Sequence, residues 1–383
     1  MFRVVGAIAA SLSLTWWIFA QLLPLQGPLG FVVVSFVLFV ALYAVLVSID
    51  DSGPAVRDRV MSVLVHSVAV LMVLALVVVI VFTAMRGSEA LPYVNFFTQD
   101  MAAAGPLEPL SVGGVLHAVI GTMIMITIAL VLSVPLGLLC ALFLTEVPGK
   151  YARFVRTIVE AMTALPSIVA GLFIYATAVM VLGLDRSGFA AALAITIMML
   201  PIIIRSADVV LRLVPGNLKE ASLALGSSQW RTVWNVTLPT ARSGLTTAVI
   251  LGTARGIGET SPVLLTAGFT TYFNFNPFSG AMISLPLATF NLVKSPEPTM
   301  IARGFGTAVV LMVLVLGLFA LARVIGGRGP GQLSPRQQRR RRLESARDAA
   351  RFEAVARIDV VETAGYGGVG FQRASAPKEG HTS

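Results

Sequence analysis

Long apolar runs separated by short polar segments recur along the 383-residue chain. A hydrocarbon core about 30 Å thick is crossed by roughly 20 mainly apolar residues in a helix. We therefore expect an all-helical, polytopic membrane bundle with about eight spans. These spans are predicted at 4–23, 30–48, 61–84, 115–144, 157–182, 188–211, 243–267 and 304–325. The composition agrees, since 56% of residues are hydrophobic, 12% are charged and the mean hydropathy is +0.85.

The first apolar run has the length expected of a signal peptide. It follows a single basic residue, lacks a clear small-x-small cleavage site and leads into a second apolar run. These three features favour a retained anchor over a cleaved leader. We therefore expect residues 1–55 to form an N-terminal transmembrane hairpin.

The basic residues of the short loops are divided unequally between the two sides of this arrangement. One side carries Arg57, Arg59, Lys150, Arg153, Arg156, Arg212, Lys219, Arg231 and Arg242. The other carries Arg86, Arg186, Lys294 and Arg303. Because the more basic loops normally face the cytoplasm, both termini are expected inside, with loops 85–114 and 268–303 outside.

The formal net charge of +9 reflects this topology together with a basic tail. The run RQQRRRR at Arg336–Arg342 is expected to hold the last helix in place and to contact anionic membrane lipid, not nucleic acid. Residues 343–362 have the pattern of a surface helix. The glycine-rich stretch from Gly365 onward is predicted to be disordered. Residues 328–383 are thus expected to form a basic, largely disordered cytoplasmic tail.

Catalytic and metal-binding constellations are missing from the sequence. Cys140 stands alone in an apolar span, and the three histidines lack clustered acidic or cysteine partners. The segment EVPGKYA at Glu146–Ala152 does not complete the phosphate-cradling pattern of a nucleotide-binding loop. We therefore expect no enzyme activity, no cofactor and no metal site in this chain.

The longest predicted cytoplasmic loop, VPGNLKEASLALGSSQWRTVWNVTLP, runs from Val214 to Pro239. Asn217 with Glu220 has capping-box spacing, and Gly226 can stop a helix, which predicts a helix over 218–225. Ser227 or Ser228 is expected to cap a second helix that Pro239 ends.

Part of the surface of this second helix is apolar, with Trp230 and Trp234 four residues apart. From physics alone, the two tryptophans could anchor the helix at lipid headgroups, or they could form a docking surface for another protein.

The segment EASLALG at Glu220–Gly226, followed by WRTVWNVTLP, resembles the EAA loop of ABC importer permeases. Glu220, Ala221 and Gly226 match the signature positions, while Ser222 replaces the usual second alanine. The resemblance implies that these residues and Trp230 dock onto a cytoplasmic ATPase.

Four further segments resemble the PstA-type permeases of phosphate importers more than the partner PstC type. They are ALPSIVAGLF (Ala164–Phe173), LPIIIRSADVVLRLVP (Leu200–Pro215), ARGIGETSPVL (Ala254–Leu264) and FNPFSGAMISLPL (Phe275–Leu287). The resemblance implies a MetI-like core of about six spans over residues 56–327. It also implies a PstC-like second permease, a PstB-like ATPase dimer and a PstS-like phosphate-binding protein outside.

Arg255 and Glu259 are charged residues in a predicted span. An ionisable side chain deep in a bilayer costs at least ~2.5 kcal/mol, so it usually faces a bundle interior or a water-filled path. The spacing of four residues places both on one helix face, where they can pair. An arginine fork also matches two phosphate oxygens. We therefore expect Arg255 and Glu259 to line a substrate path.

Arg205 is the third candidate path residue, because the resembling family uses arginines at the positions of Arg205 and Arg255 in phosphate passage. From position alone, Arg205 could instead extend toward the cytoplasmic interface and pair with Asp208.

Two alternatives to a phosphate permease remain from the sequence. Arg255 does not distinguish phosphate from molybdate or sulfate, so a permease for another oxyanion is possible. A secondary transporter would show internal repeats, which are not clear here, and would not need the EAA-like loop.

Overall fold

A computed structural model describes residues 2–22, 27–147, 149–326, 339–340 and 342–349 of the chain. Within these residues the regular structure is helical and no strand occurs, which confirms the predicted all-helical fold. The helices are α1 (Phe2–Trp17), α2 (Pro28–Ser48), α3 (Gly53–Gly87), α4 (Val94–Thr98), α5 (Leu116–Glu146), α6 (Lys150–Thr163), α7 (Ser167–Ile174), α8 (Gly188–Arg212), α9 (Gly216–Ala224), α10 (Gln229–Thr232), α11 (Leu238–Ile257), α12 (Ser261–Thr266), α13 (Leu285–Val293) and α14 (Pro298–Gly326). Wide π-helical turns continue α1, α7 and α10 at Ile18–Leu22, Tyr175–Val181 and Val233–Thr237.

The described residues of Met1–Ser133, Ala164–Met199 and Thr253–Leu318 form one compact unit, called unit 1 below. In its N-terminal part, α1 and α2 form a helical hairpin in which Ala7 packs against Tyr43 and Val47. The small Ala7 side chain lets the two helices approach closely. α1 and α2 are therefore a pair of packed helices, and the N-terminal transmembrane hairpin over residues 1–55 stays a prediction.

Unit 1 also contains a closely packed set of short elements. A Cβ atom at Gly121 of α5 would lie 2.2 Å from the Ile283 carbonyl oxygen, so the loop before α13 lies directly on this helix. The Leu285 amide donates to the Thr122 hydroxyl at 2.8 Å at the same place. The segment FNPFSGAMISLPL is thus buried over residues 282–287, where it enters α13, whereas Phe275 and Phe278 are exposed.

The described residues of Val134–Thr163, Leu200–Gly252 and Phe319–Ser383 form the second compact unit, unit 2. Small and aliphatic side chains from α5, α8 and α11 build its core, including Ala141, Ala207 and Ala248. Gly244 faces Val210 so closely that a Cβ atom there would lie 2.4 Å from a valine methyl group. Small residues therefore allow the close helix packing that membrane bundles depend on.

Six single helices are long and apolar enough to cross a membrane, among the residues that the structure describes. They correspond to six of the predicted spans, and the chain is a multi-pass membrane protein. The remaining two predicted spans are broken. The span 157–182 is divided into α6 and α7 at residues 164–166, and the span 243–267 into α11 and α12 at residues 258–260.

The tail is described only at residues 339–340 and 342–349, which are helical and exposed. Arg340 and Glu344 pair there at 3.3 Å. The predicted surface helix agrees with the structure over these positions, and its remainder and the predicted disorder after Gly365 lie outside the described residues. The domain boundaries at 55 and 327 stay predictions.

Candidate functional site

The charged pair of unit 1 lies where α11 ends. Nη2 of Arg255 is 3.0 Å from Oε1 of Glu259, which confirms the expected pairing. The two residues do not share one helix, however, because α11 ends at Ile257 and α12 begins at Ser261. The Glu259 amide still donates to the Gly256 carbonyl at 3.2 Å, so a single turn keeps the two side chains on the same side.

The two members of this pair have very different exposure. The Arg255 side chain is 51% exposed, whereas the Glu259 side chain is 4% exposed. Gly256 explains part of this, since it packs on Ile195 and Met199 of α8 and leaves Arg255 pointing away from that contact. The result is a half-exposed guanidinium held by a buried carboxylate.

A serine that the sequence reasoning missed supports Glu259. The Ser167 side chain, in the first turn of α7, lies beside the Glu259 carboxylate and interacts with it. Helices α7 and α12 can approach this closely because Gly171 of α7 has no side chain. A Cβ atom at Gly171 would lie 2.7 Å from the Cα atom of Pro262 in α12. Pro262 stands in the first turn of α12, where proline is tolerated, and so it opens a new helix instead of kinking a continuous one. The ALPS and ETSP segments therefore meet.

Carboxylate atom Oε1 of Glu259 is buried without an aligned hydrogen bond among the described residues. Its stabilising contact is thus the guanidinium of Arg255. A buried charge that loses its partner is costly, so Arg255 balances Glu259 in addition to presenting positive charge at the surface of the chain.

Arg205 lies in unit 2, exposed on α8, and has no ion pair among the described residues. The suggested Arg205–Asp208 pair does not form. Asp208 is instead paired with Arg212 at 3.0 Å and with Arg156 at 3.4 Å, and it also accepts from the Thr145 hydroxyl at 3.2 Å. Arg212 forms this ion pair because it lies four residues, about one helical turn, after Asp208 on the same face of α8.

The loop between α8 and α11 contains the two expected short helices, with corrections at their ends. The first, α9, begins at Gly216 after Pro215, and Asn217 does not cap it. Gly226 has a φ of +82°, the left-handed conformation of a helix stop, as predicted. Ser228 caps α10 by accepting from the Arg231 amide at 3.4 Å.

Pro239 does not end the second helix. The helical path continues through the π-helical turn Val233–Thr237 into α11, and Pro239 is the second residue of that helix. The wider turn accommodates the proline, which lacks an N–H and would clash with the carbonyl four residues earlier in a regular helix.

The predicted docking residues Glu220, Ala221, Gly226 and Trp230 are all exposed on this loop. The Trp230 and Trp234 rings lie edge to face, with centroids 6.3 Å apart, and are 61% and 57% exposed. Together they form an apolar patch on a polar loop.

Three polar contacts hold this loop in place. Nζ of Lys219 on α9 lies 2.6 Å from Oε1 of Glu146 at the end of α5. The Gln229 side chain reaches the Glu146 carbonyl at 3.5 Å. Within the loop, the Ser222 and Thr232 hydroxyl groups are 2.9 Å apart, so the serine that departs from the EAA pattern joins α9 to α10.

A buried arginine of unit 1 was also missed by sequence reasoning, which placed it in an outer loop. Arg303 is 1% exposed in α14. Its Nη2 donates to the carbonyls of Glu108, Pro109 and Val112 at 3.2, 2.7 and 2.9 Å. These contacts order the loop before α5.

Residues 133–327 match the family described as binding-protein-dependent transport system inner membrane component. The chain is 38% identical over 234 residues to the phosphate transport system permease protein PstA of Mycobacterium leprae (strain TN), covering 61% of this chain and 76% of that protein. It is 37% identical over 213 residues to the protein of the same name from Pasteurella multocida (strain Pm70), covering 54% and 75%. A solved structure of the MetNI methionine ABC transporter in inward facing conformations aligns with 21% identity and a TM-score of 0.43, over 56% of this chain and 95% of that one.

Proposed function

This chain belongs to the family of binding-protein-dependent transport system inner membrane components, and we propose that it is the permease subunit of an ATP-driven importer of inorganic phosphate. The membership confirms the resemblance expected from the loop and core motifs. The substrate is assigned from relatives named as phosphate transport permeases, which are 34% to 38% identical.

The observation that carries the proposal is the half-exposed Arg255 held by the buried Glu259. A guanidinium offers two parallel N–H groups to an oxyanion and stays charged at physiological pH. Glu259 lowers the net positive charge at this position, so an anion can bind and also leave. Arg205, exposed and without an ion pair among the described residues, is proposed as a second phosphate contact.

The exposed loop around Trp230 is proposed to dock onto a cytoplasmic ATPase dimer. Glu220, Ala221 and Gly226 would form the contact surface with Trp230, and the Lys219–Glu146 pair would carry the movement of the loop into α5. The complete importer would further include a PstC-like permease and a PstS-like binding protein outside. The chain would lie in the bacterial plasma membrane with both termini in the cytoplasm, and ATP hydrolysis would take place on the separate ATPase.

Uptake by the reconstituted importer tests this function. The chain, its second permease, the ATPase and the binding protein are placed in proteoliposomes, and ATP-dependent uptake of radiolabelled phosphate is measured with unlabelled phosphate, sulfate or molybdate as competitor. We expect only phosphate to compete at comparable concentration. Competition by sulfate or molybdate instead would assign another oxyanion, and uptake without the ATPase would indicate a secondary transporter.

The docking proposal has its own readout. Glu220→Ala and Trp230→Ala should weaken co-purification of the ATPase, while Arg153→Ala, an exposed arginine of α6, should leave it unchanged. Retention of the ATPase by both loop variants would contradict the docking surface.

A further inference from the structure

A groove of about 580 Å³ runs along one face of α11 in unit 2. Leu238, Leu245 and Val249 form its floor on this face. Their spacing of seven and four residues follows the helical repeat, so the floor is continuous and apolar. Ala322 and Ile325 of α14 form one wall.

The wall from α14 is held against α11 by a close contact. A Cβ atom at Gly326 would lie 2.5 Å from the Thr246 side chain, so α14 approaches α11 as closely as a glycine permits. Nη2 of Arg242 donates to the Ile325 carbonyl at 2.8 Å beside this contact. These two contacts hold the backbone of α14 against α11 and so fix the position of this wall of the groove.

The two ends of the groove differ in chemistry. At one end of the groove lies Arg242, which is exposed and whose guanidinium is held by its hydrogen bond to the Ile325 carbonyl. The exposed ring of Trp234 also lines this end. Val249 lies seven residues further along α11, or about 10 Å at the helical rise. A cation and an indole ring at one end and aliphatic side chains at the other match the order of headgroup and acyl chain in a membrane leaflet.

We propose that this groove binds an anionic phospholipid of the cytoplasmic leaflet, with the lipid phosphate on Arg242 and one acyl chain along Leu245 and Val249. The side follows from the basic loops, which place Arg242 at the cytoplasmic end of α11. Free phosphate would gain nothing from the apolar floor, whereas a lipid satisfies both ends. This inference does not depend on what the importer carries.

Native mass spectrometry of the intact importer tests the site. The importer is purified from vesicles that contain equal amounts of phosphatidylglycerol and phosphatidylcholine, and the retained lipid is counted. Arg242→Gln removes the charge but keeps a donor for the Ile325 carbonyl. Ala322→Trp fills the groove and leaves Arg242 in place. Arg323→Ala is the matched control, because it removes an exposed arginine of α14 that does not line the groove.

We expect selective retention of phosphatidylglycerol, a reduction of about fivefold in Arg242→Gln, and no change in Arg323→Ala. Ala322→Trp should also lose the lipid although its charge is intact. Retention of phosphatidylglycerol at the wild-type level by both Arg242→Gln and Ala322→Trp would overturn the site. Displacement of the lipid by millimolar inorganic phosphate would show that Arg242 binds a free anion and contradict the lipid site. Equal retention of phosphatidylcholine and phosphatidylglycerol would show that the site does not select an anionic headgroup.

Discussion

The guanidinium of Arg255 lies 3.0 Å from the Glu259 carboxylate across the break between α11 and α12, and only the arginine reaches the surface of the chain. This arrangement explains why an apolar segment retains two charges. Glu259 is buried among α7 and α12 and needs a cation, while Arg255 keeps half of its surface available. The break between the helices gives Glu259 a position that a continuous helix would not provide.

Stability of the pair can be separated from its function. Arg255→Ala leaves a buried carboxylate without its ion pair, and we expect a loss of about 2 kcal/mol in stability, less than for a fully buried pair because Arg255 is half exposed. Glu259→Gln in the same background should recover most of this loss. Thermal unfolding of the purified importer measures both. A double variant no more stable than Arg255→Ala would show that the charge of Glu259 is not the cause.

Gly171 controls the contact that brings Ser167 to Glu259. Gly171→Ala places a methyl group 2.7 Å from the Pro262 Cα, which is too close for either helix to stay in position. We expect a loss of about 1–3 kcal/mol in stability. Gly317→Ala is the control, because nothing lies within 4 Å of a Cβ atom there, and it should be neutral or slightly stabilising. Equal unfolding temperatures for the two variants would refute the close contact.

The Lys219–Glu146 pair is expected to couple the loop to α5. Both side chains are about four-fifths buried, so Glu146→Gln should cost about 1 kcal/mol in stability. ATP hydrolysis should persist while the phosphate taken up per ATP falls, because the loop can move without α5. Glu160→Gln, an exposed acid of α6, serves as control. An unchanged ratio of uptake to hydrolysis in Glu146→Gln would argue against this route.

Arg303 is expected to be a stability determinant of the outer loop. Arg303→Met keeps the volume of the side chain but leaves three carbonyls without their donor, at a cost of about 3 kcal/mol. The loop at 105–112 should then become accessible to protease. A variant with normal unfolding temperature and an intact loop would show that these hydrogen bonds are dispensable.

The predictable part of this protein was the part controlled by local pattern. Apolar runs located the spans, and Gly226 and Ser228 marked helix ends, because each depends on neighbouring residues alone. The break before Ser261 was not predicted, because the apolar run 243–267 continues on both sides of it and its geometry depends on the Gly171–Pro262 contact with α7.

Contacts between side chains that are far apart in the sequence could not be predicted from it either. From its position in the sequence, Arg303 is expected to be a basic residue of an outer loop. Only the fold brings the carbonyls of residues 108–112 to its side chain. Asp208 pairs with Arg156 and Arg212 and not with Arg205, and this pairing also depends on where α6 lies. For Ser167, the ALPS motif carries the family resemblance, but nothing in the motif indicates Glu259 as its partner.

Arg255 is expected to contact the transported anion. Phosphate uptake by importers that carry the double variant Arg255→Ala with Glu259→Gln measures this most directly, because the second change removes the buried charge that would otherwise destabilise the fold. We predict assembly with the ATPase and an uptake rate lower by about tenfold or more, while Glu259→Gln alone and Arg153→Ala retain more activity. Uptake at the wild-type rate by the double variant would contradict the account and make the pair structural.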